Sequence, residues 1–294
     1  MSRSHTVYAR GRARLGFASI TAIALALLVS SGANAVAVPV PLGSAYSFAV
    51  LGATAVTNTG PTVINGDIGV YAGTDVGGGY TVNGTNHGND AVSAAAQDSL
   101  DAAMINAWGQ GPVDGTISAD LGGQTLTPGV YVQGGTMLLN GGNLTLNAGG
   151  DANAVWIFRV EGDLSVNVGS SVTLAGGAQA CNVYWLSRAG TAIGGGSNFI
   201  GTIMSGTSIT FGTGANLIGR ALAAEGNVVL DTNTITQVGC AVAGTGGIAA
   251  GDGSTSTSME TGPSDSANMF VAVVLGGVGV MAAILIRRHR FERS

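Results

Sequence analysis

Glycine-punctuated phrases recur between Gly162 and Thr236 and constrain the fold more than any other feature of the sequence. Each phrase contains a glycine turn, a short run of alternating apolar and polar residues, a corner of small residues and a second short run. The phrases begin at Gly162, Gly190, Gly206 and Gly226. Two short strands joined by a tight corner in every repeat are typical of one coil of a stacked β-solenoid. The sequence therefore predicts a mainly β fold.

Few side chains in the repeat region carry a charge. The whole chain has 50 glycines, 9% charged residues and no lysine. Between Val36 and Gly244 the basic residues, His87 aside, are Arg159, Arg188 and Arg220, against a dozen Asp and Glu. Neutralising phosphates requires clustered Lys or Arg, so we expect no nucleic acid partner. A surface of Thr, Ser, Asn, Gly and Ala suits a neutral ligand.

The N-terminus has the pattern of a signal peptide over residues 1–35. Several arginines precede the apolar run from Leu15 to Val29, and Ala33-Asn34-Ala35 supplies small residues at a cleavage site. The mature chain is expected to begin at Val36, with one folded domain over residues 36–240.

The C-terminus has the pattern of a membrane anchor. Residues 241–268 are rich in Gly, Ser and Thr and are predicted to be a linker. Residues 269–286 carry no charge and are predicted to form a transmembrane helix, followed by a basic tail over residues 287–294. Because basic tails stay in the cytoplasm, the domain is expected on the extracellular face of the membrane.

A second mode of attachment comes from residues 258–262, which resemble a sortase signal cut after Thr261, although the Leu-Pro of the usual motif is absent. Cleavage there would join the chain to the cell wall.

Helical periodicity replaces the strand pattern at about residues 90–108. Asn89 or Asp90 can cap this helix, and Gly109 is the expected stop. The predicted apolar stripe consists of Val92, Ala96, Leu100, Ala103, Met104 and Ala107, and continues to Trp108. We expect this stripe to cover one flank of the β-stack. Runs at residues 44–56 and 60–71 are expected to be coils that finish the stack after the chain returns.

The two cysteines of this exported chain, Cys181 and Cys240, predict a disulfide if the fold brings them together. That bond would pin the last coil to the body of the stack where the linker begins.

A series of framework motifs resembles the microbial ice-binding-protein family. The motifs lie, in order, at Leu42–Leu51, Gly66–Val70, Leu126–Tyr131, Ala154–Phe158, Gly176–Trp185 and Gly219–Ala223. The resemblance covers about Leu42 to Cys240 and implies a discontinuous right-handed β-solenoid flanked by one long helix. It also implies a flat face that binds ice, in an antifreeze or ice-adhesion role without a cofactor or a reaction. These motifs turn the chain or fill the core, so the binding face must be read from this sequence.

Alternate residues of a strand point to opposite sides, which defines two candidate faces. The residues expected to point inward are Leu164, Val166, Ile209, Phe211, Val228 and Leu230. The first run of each coil then offers Ser165, Asn167, Ser208, Thr210, Val229 and Asp231, and the second run offers Ser171, Thr173, Asn198, Ile200, Asn216, Ile218, Thr234 and Thr236. Coils about 4.8 Å apart would align such residues at a spacing close to a repeat of ice. Both rows are also compatible with a merely solvated β-surface.

Other functions are supported weakly by the sequence. His87 beside Asp90 lacks the partner ligands of a metal site or catalytic base. Arg188, Arg220 and Glu225 could be compared with the groups of polysaccharide lyases, but no lysine or acidic cluster accompanies them. We therefore expect a surface-anchored ice-binding protein that is not an enzyme. The alternative is a cell-surface adhesin or structural module of the same fold that binds a glycan or a protein.

Overall fold

The computed structural model describes residues 37–73 and 75–241. The predicted signal peptide, transmembrane segment and basic tail, and the linker beyond Ala241, lie outside the described residues. Within the residues described, no helix is both long and apolar enough to cross a membrane.

Parallel strands stack into the coils of a three-sided solenoid, which confirms the mainly β prediction. The strands described form a 15-stranded sheet, which bends around one corner to supply two sides, and a 7-stranded sheet, which supplies the third. Cross-strand partners lie in parallel register from coil to coil, as in Asn198↔Asn216 and Thr191↔Ile209. Parallel β-helices of this kind are expected to wind right-handedly, and that hand stays a prediction.

Each side of the solenoid collects one strand from every coil. The first-run face consists of β2 (Ala55–Thr59), β5 (Asp75–Val76), β11 (Met137–Leu139), β14 (Leu164–Val166), β17 (Thr191–Ile193), β19 (Ile209–Phe211) and β21 (Val228–Asp231). The second-run face consists of β3 (Thr62–Asn65), β6 (Tyr80–Asn83), β9 (Thr125–Leu126), β12 (Asn143–Asn147), β15 (Ser171–Ala175), β22 (Thr234–Thr236) and the first halves of β18 (Asn198–Ser205) and β20 (Asn216–Ala223). The helix-side face consists of β1 (Phe48–Gly52), β4 (Asp67–Val70), β7 (Asn86–Gly88), β8 (Gly115–Thr116), β10 (Gly129–Gln133), β13 (Trp156–Val160), β16 (Val183–Ser187) and the second halves of β18 and β20.

The order of coils along the stack differs from their order along the chain. The N-terminal coils, β1–β3 and β4–β6, form one end of the stack, and α1 (Ala91–Gly109) then carries the chain back along the helix-side face. Later coils build up again until β20 pairs with β1 and β22 pairs with β3. The prediction that the N-terminal coils finish the stack is confirmed.

The start of α1 is fixed by Asp90, whose carboxylate accepts hydrogen bonds from the backbone N–H groups of Val92 and Ser93 at 2.9 and 2.8 Å. The Ser93 hydroxyl accepts in return from the Asp90 N–H at 3.0 Å. The predicted stripe is wrong at Val92, which is 45% exposed. The helix instead buries Ser93 and Gln97, because both find hydrogen-bond partners, with Gln97 Nε2 donating to the Ala223 carbonyl at 3.2 Å.

The rest of the predicted helix stripe lies against the β-stack. Ala96, Leu100, Ala103 and Ala107 are fully buried, and Met104 and Trp108 are half-buried against the same cluster. The helix ends with Gly109 itself, and Gln110 is its C-cap.

Apolar side chains fill the solenoid on the inner side of all three faces. The six residues predicted to point inward are at most 3% exposed. Aromatic rings stack from coil to coil inside the helix-side face, with ring centres 5.6 Å apart for Tyr131 and Phe158 and 4.0 Å apart for Phe158 and Trp185. The alternate residues of these strands, such as Ile157 and Leu186, pack towards α1. The aromatic strands therefore serve both the interior and the helix, as their apolar sequences predict.

Glycine is required where β18 and β20 pass from the second-run face to the helix-side face without a break. Gly201 and Gly219 occupy this corner with φ of +116° and +152°, which side chains disfavour. They lie directly above one another, so that a Cβ on Gly219 would be 1.9 Å from the Gly201 carbonyl oxygen.

Replacing Gly219 by alanine is therefore expected to lower the free energy of unfolding by about 3 kcal/mol, because the corner must open and the φ is strained. Gly134→Ala is the matched control, since nothing lies within 4 Å of its added Cβ, and it should change stability by less than about 0.5 kcal/mol. Chemical denaturation of both variants measures the difference. Equal midpoints for the two variants would show that the corner tolerates a side chain.

The Asp90 cap predicts a pH dependence of stability. Hydrogen bonds from Ser93 and His87 lower the pKa of Asp90 from 3.8 to about 2. A carboxyl with a lowered folded-state pKa stabilises the fold above its unfolded pKa and loses that effect as the pH falls through its folded pKa. The melting temperature of Asp90→Asn should therefore vary less than that of the natural protein between about pH 4 and pH 2. Asp98→Asn, on the exposed side of the same helix, should leave the natural pH profile unchanged in thermal melts followed by circular dichroism.

Candidate functional site

The second-run face presents two outward rows of uncharged side chains along the stack. Cross-strand pairing places the first row in the order Asn143, Ser171, Asn198, Asn216, Thr234, Val63 and Thr81. Two residues further along each strand, the second row consists of Thr145, Thr173, Ile200, Ile218, Thr236, Asn65 and Asn83. The face so described contains hydroxyl, amide, methyl and isopropyl groups but no ionisable group.

Hydrogen bonds between coils hold parts of these rows in place. Asn83 Nδ2 donates to Asn65 Oδ1 at 2.7 Å, and Asn65 Nδ2 donates to Thr236 Oγ1 at 3.0 Å. Asn216 Nδ2 donates to Asn198 Oδ1 at 3.3 Å. These side chains are thus ordered along the stack before any ligand arrives, which reduces the entropy lost on binding.

The residues beneath the second-run face make it stiff. The intervening side chains of its strands, including Leu144, Phe199, Leu217 and Ile235, are buried in the main core. At the corner with the first-run face, Ser170 and Ser197 donate hydrogen bonds to carbonyls of the neighbouring coil at 3.1 and 2.9 Å. Asn233 donates to the Ala215 and Gly212 carbonyls in the same way.

The first-run face is less regular. Its central row is Leu138, Ser165, Ala192, Thr210, Val229 and Thr57. Side chains are small or absent at Ala192 and Gly190, which leaves a depression of about 470 Å³ between Thr136 and Thr210. A carboxylate stands at each edge of the face, Asp163 before β14 and Asp231 at the end of β21.

The structure separates the predicted site residues into two groups. Ser165, Thr210 and Val229 lie in the central row of the first-run face, Ser208 lies just before it, and Asn167 and Asp231 lie at its far edge. Asn167 donates to Asn140 Oδ1 at 2.5 Å, and Asp231 accepts from the hydroxyls of Thr213 and Thr232. The second-run candidates all lie in the two rows of the second-run face, namely Ser171, Thr173, Asn198, Ile200, Asn216, Ile218, Thr234 and Thr236.

The second-run face is extended at both ends by residues that the sequence did not place on it. Asn143 and Thr145 come from β12, Asn65 from β3, and Thr81 and Asn83 from β6. Their alternation with buried residues was visible in the sequence. The place of Asn65, Thr81 and Asn83 in the rows was not, because the N-terminal strands join this face only through the return of the chain along α1.

The charged residues considered for chemistry serve structural roles. His87 Nδ1 lies 2.8 Å from Asp90 Oδ2 and so supports the helix cap. Arg220 is fully buried, where burial lowers its pKa, and donates from Nε to the Tyr46 carbonyl at 2.8 Å. Arg188 pairs with Glu161 at 2.5 Å and stacks on Trp108. Arg220 therefore lies apart from Arg188 and Glu225, which border a separate groove beside α1.

Fold and face together define a helix-flanked parallel β-solenoid with a broad, uncharged and ordered surface. The profile of the Ice-binding-like family matches residues 50–236. The chain is 40% identical over 199 residues to an ice-binding protein of Nostoc sp. (strain HG1), covering 67% of this chain and 73% of that protein.

Solved structures agree with this match. One is an ice-binding protein from an Antarctic biological consortium, with a TM-score of 0.67, 41% identity and coverage of 68% of this chain and 92% of that chain. Another is the ice-binding protein of the ascomycete Antarctomyces psychrotrophicus, with a TM-score of 0.66, 35% identity and coverage of 68% and 99%. The chain belongs to the ice-binding-like family, as the framework motifs predict.

Proposed function

We propose that this protein binds ice and that the second-run face is the surface that does so. The observation that carries the assignment is the pair of uncharged rows, aligned by cross-strand pairing over coils from β12 to β6. The Ice-binding-like family match and the relatives named as ice-binding proteins support the activity.

The mechanism follows from the spacing and rigidity of these rows. Parallel strands place equivalent side chains about 4.8 Å apart, so each row repeats its methyl, hydroxyl and amide groups at one period. Water held at that period over a broad face takes up an ice-like order and joins the crystal. Each contact is weak, and affinity arises because many are made at once by groups that lose little freedom.

The first-run face fits ice less well for two reasons. Its depression between Thr136 and Thr210 breaks contact with a flat crystal plane. Its edge carboxylates, Asp163 and Asp231, hold water in their own hydration shells, which must be removed or reorganised against ice. The charged residues Asp98, Asp101, Glu161, Arg188 and Glu225 lie on α1 or at the corner of the helix-side and first-run faces. The two outward rows of the second-run face contain no charged residue.

We further propose that the domain acts outside the cell and is tethered through its C-terminal side. The support comes from sequence: the signal-peptide pattern of residues 1–35, the uncharged run at 269–286 and the basic residues that follow. The disulfide between Cys181 and Cys240 is compatible with an oxidising compartment. Attachment is assigned to the membrane span, with cleavage near Thr261 as the route to the cell wall.

A tyrosine placed on each face distinguishes the two surfaces. Thr234→Tyr, in an exposed position of the second-run face, should reduce thermal hysteresis and inhibition of ice recrystallisation several-fold, because the ring lifts the face off the crystal. Thr210→Tyr, also in an exposed position but on the first-run face, is the matched control and should keep the activity. Melting temperatures confirm that both variants fold. The opposite pattern would move the ice-binding surface to the first-run face, and inactivity of the natural protein would remove ice as the ligand.

The absence of ionisable groups from the second-run rows leads to an expectation for pH. Thermal hysteresis of the folded protein should stay constant between about pH 3 and pH 8, since no group of this face titrates there. Activity that instead rose or fell through the range in which carboxyl groups titrate would implicate Asp163 or Asp231 and hence the first-run face. Circular dichroism at each pH separates such a change from unfolding.

A further inference from the structure

The last described residues, Gln237–Ala241, form a strap that runs along the solenoid away from β22. The backbone N–H of Gln237 donates to the Asn65 carbonyl at 2.9 Å, beside the N-terminal coils. Ala241, at the other end of the strap, contacts Gln179 in the turn before β16. The strap therefore crosses several coils on its way out of the domain.

Contacts fasten the strap along its length. Arg220 Nη2 donates to the Val238 carbonyl at 3.0 Å, while the same guanidinium binds the Tyr46 carbonyl and stacks on the Tyr46 ring. Arg220 thus joins the strap to the N-terminal segment of the domain. Gln179 holds Ala241 from both sides, accepting its N–H at 2.7 Å and donating to its carbonyl at 3.2 Å.

The disulfide adds a covalent link at the end of the strap. Cys240 is bonded to Cys181, with the two Cα atoms 5.3 Å apart, as the cysteine count predicts. Cys181 lies two residues before β16, a five-residue strand paired with β13 on one side and β18 on the other. By contrast, the last strand of the chain, β22, has three residues.

We propose that the strap is a mechanical clasp that carries tension from the C-terminal side of the chain into the middle of the β-stack. This inference rests on the proposed C-terminal tether, through which a cell held to ice would pull on Ala241. With the disulfide closed, the pull passes from Cys240 to Cys181 and loads β16 with its two ladders. With the disulfide open, it passes through Gln237 into the three-residue strand β22 and then peels β21 and β20 from the stack in turn.

The disulfide also limits how far the chain can lengthen under tension. The bonded cysteines are 59 positions apart, so the coils between them cannot lengthen the chain while the disulfide holds. Opening it makes about 200 Å of additional extended chain available, at roughly 3.4 Å per residue.

Single-molecule pulling on the full chain tests the clasp without ice. One handle is attached through an azide-bearing residue at Thr173 on the second-run face, and the other through a C-terminal tag. At a constant force, we expect the oxidised protein to survive at least ten times longer than the reduced protein. Steps approaching 200 Å should appear only after reduction. Equal lifetimes in the two states would overturn the proposal.

A second pulling geometry distinguishes a clasp from a general gain in stability. When the handles are at Thr173 and the N-terminus, the disulfide lies outside the loaded path, and reduction should change the lifetime much less. A similar gain in both geometries would show that the bond only stabilises the fold, which contradicts a role in carrying load.

The hydrogen bonds of the strap are tested in the reduced protein, where they alone hold Ala241. Gln179→Ala should shorten the reduced lifetime further under C-terminal load. Gln133→Ala, which removes a comparable bond to the Ile117 carbonyl at the far end of the stack, is the matched control and should leave it unchanged. Because no step uses ice, failure of the clasp and failure of ice binding give separate results.

Discussion

Backbone pairing of parallel strands, repeated in register from coil to coil, is the interaction on which the rest of this structure depends. Each coil must keep its corners above those of its neighbours, and only glycine permits this where Gly201 and Gly219 touch backbone to backbone. Equivalent positions are then repeated at the strand spacing. Those that point inward form stacks of rings and aliphatic groups, and those that point outward form rows on the surface. Core and surface are therefore ordered by the same ladder.

The same repetition explains how this domain can recognise an extended surface, although its described residues form no pocket of catalytic groups. The outward side chains of a single coil bind weakly, but when they are aligned in rows over a rigid stack they present a flat surface. Several charges of the domain have other roles, since Asp90 caps the helix, Arg220 fastens the strap, and Arg188 pairs with Glu161, while the two outward rows of the second-run face contain no charged side chain. The helix completes the arrangement by covering the apolar outer side of β10, β13 and β16.

Local patterns predicted the elements well and their assembly less well. The glycine-punctuated runs identified the coils, and the framework motifs identified the family. The helix was placed correctly, but its buried face includes Ser93 and Gln97 in place of Val92, because their hydrogen bonds depend on the cap and on the Ala223 carbonyl. The sequence identified eight residues of the second-run rows but did not place Asn65 and Asn83 there, because their neighbours in space come from distant parts of the chain.

The sequence by itself determined that apolar and polar residues alternate along short strands, that glycines form the turns between them, that one helix interrupts them, and that few outward residues carry charge. These properties depend on local conformational preference and on period-two patterning, which are read over a few residues. The tertiary structure alone decided which row is continuous and neutral, where the depression falls, and how the exit strap reaches Cys181. Those features depend on register between residues up to 191 positions apart, as in the bond from Gln237 to Tyr46, and no local pattern contains that information.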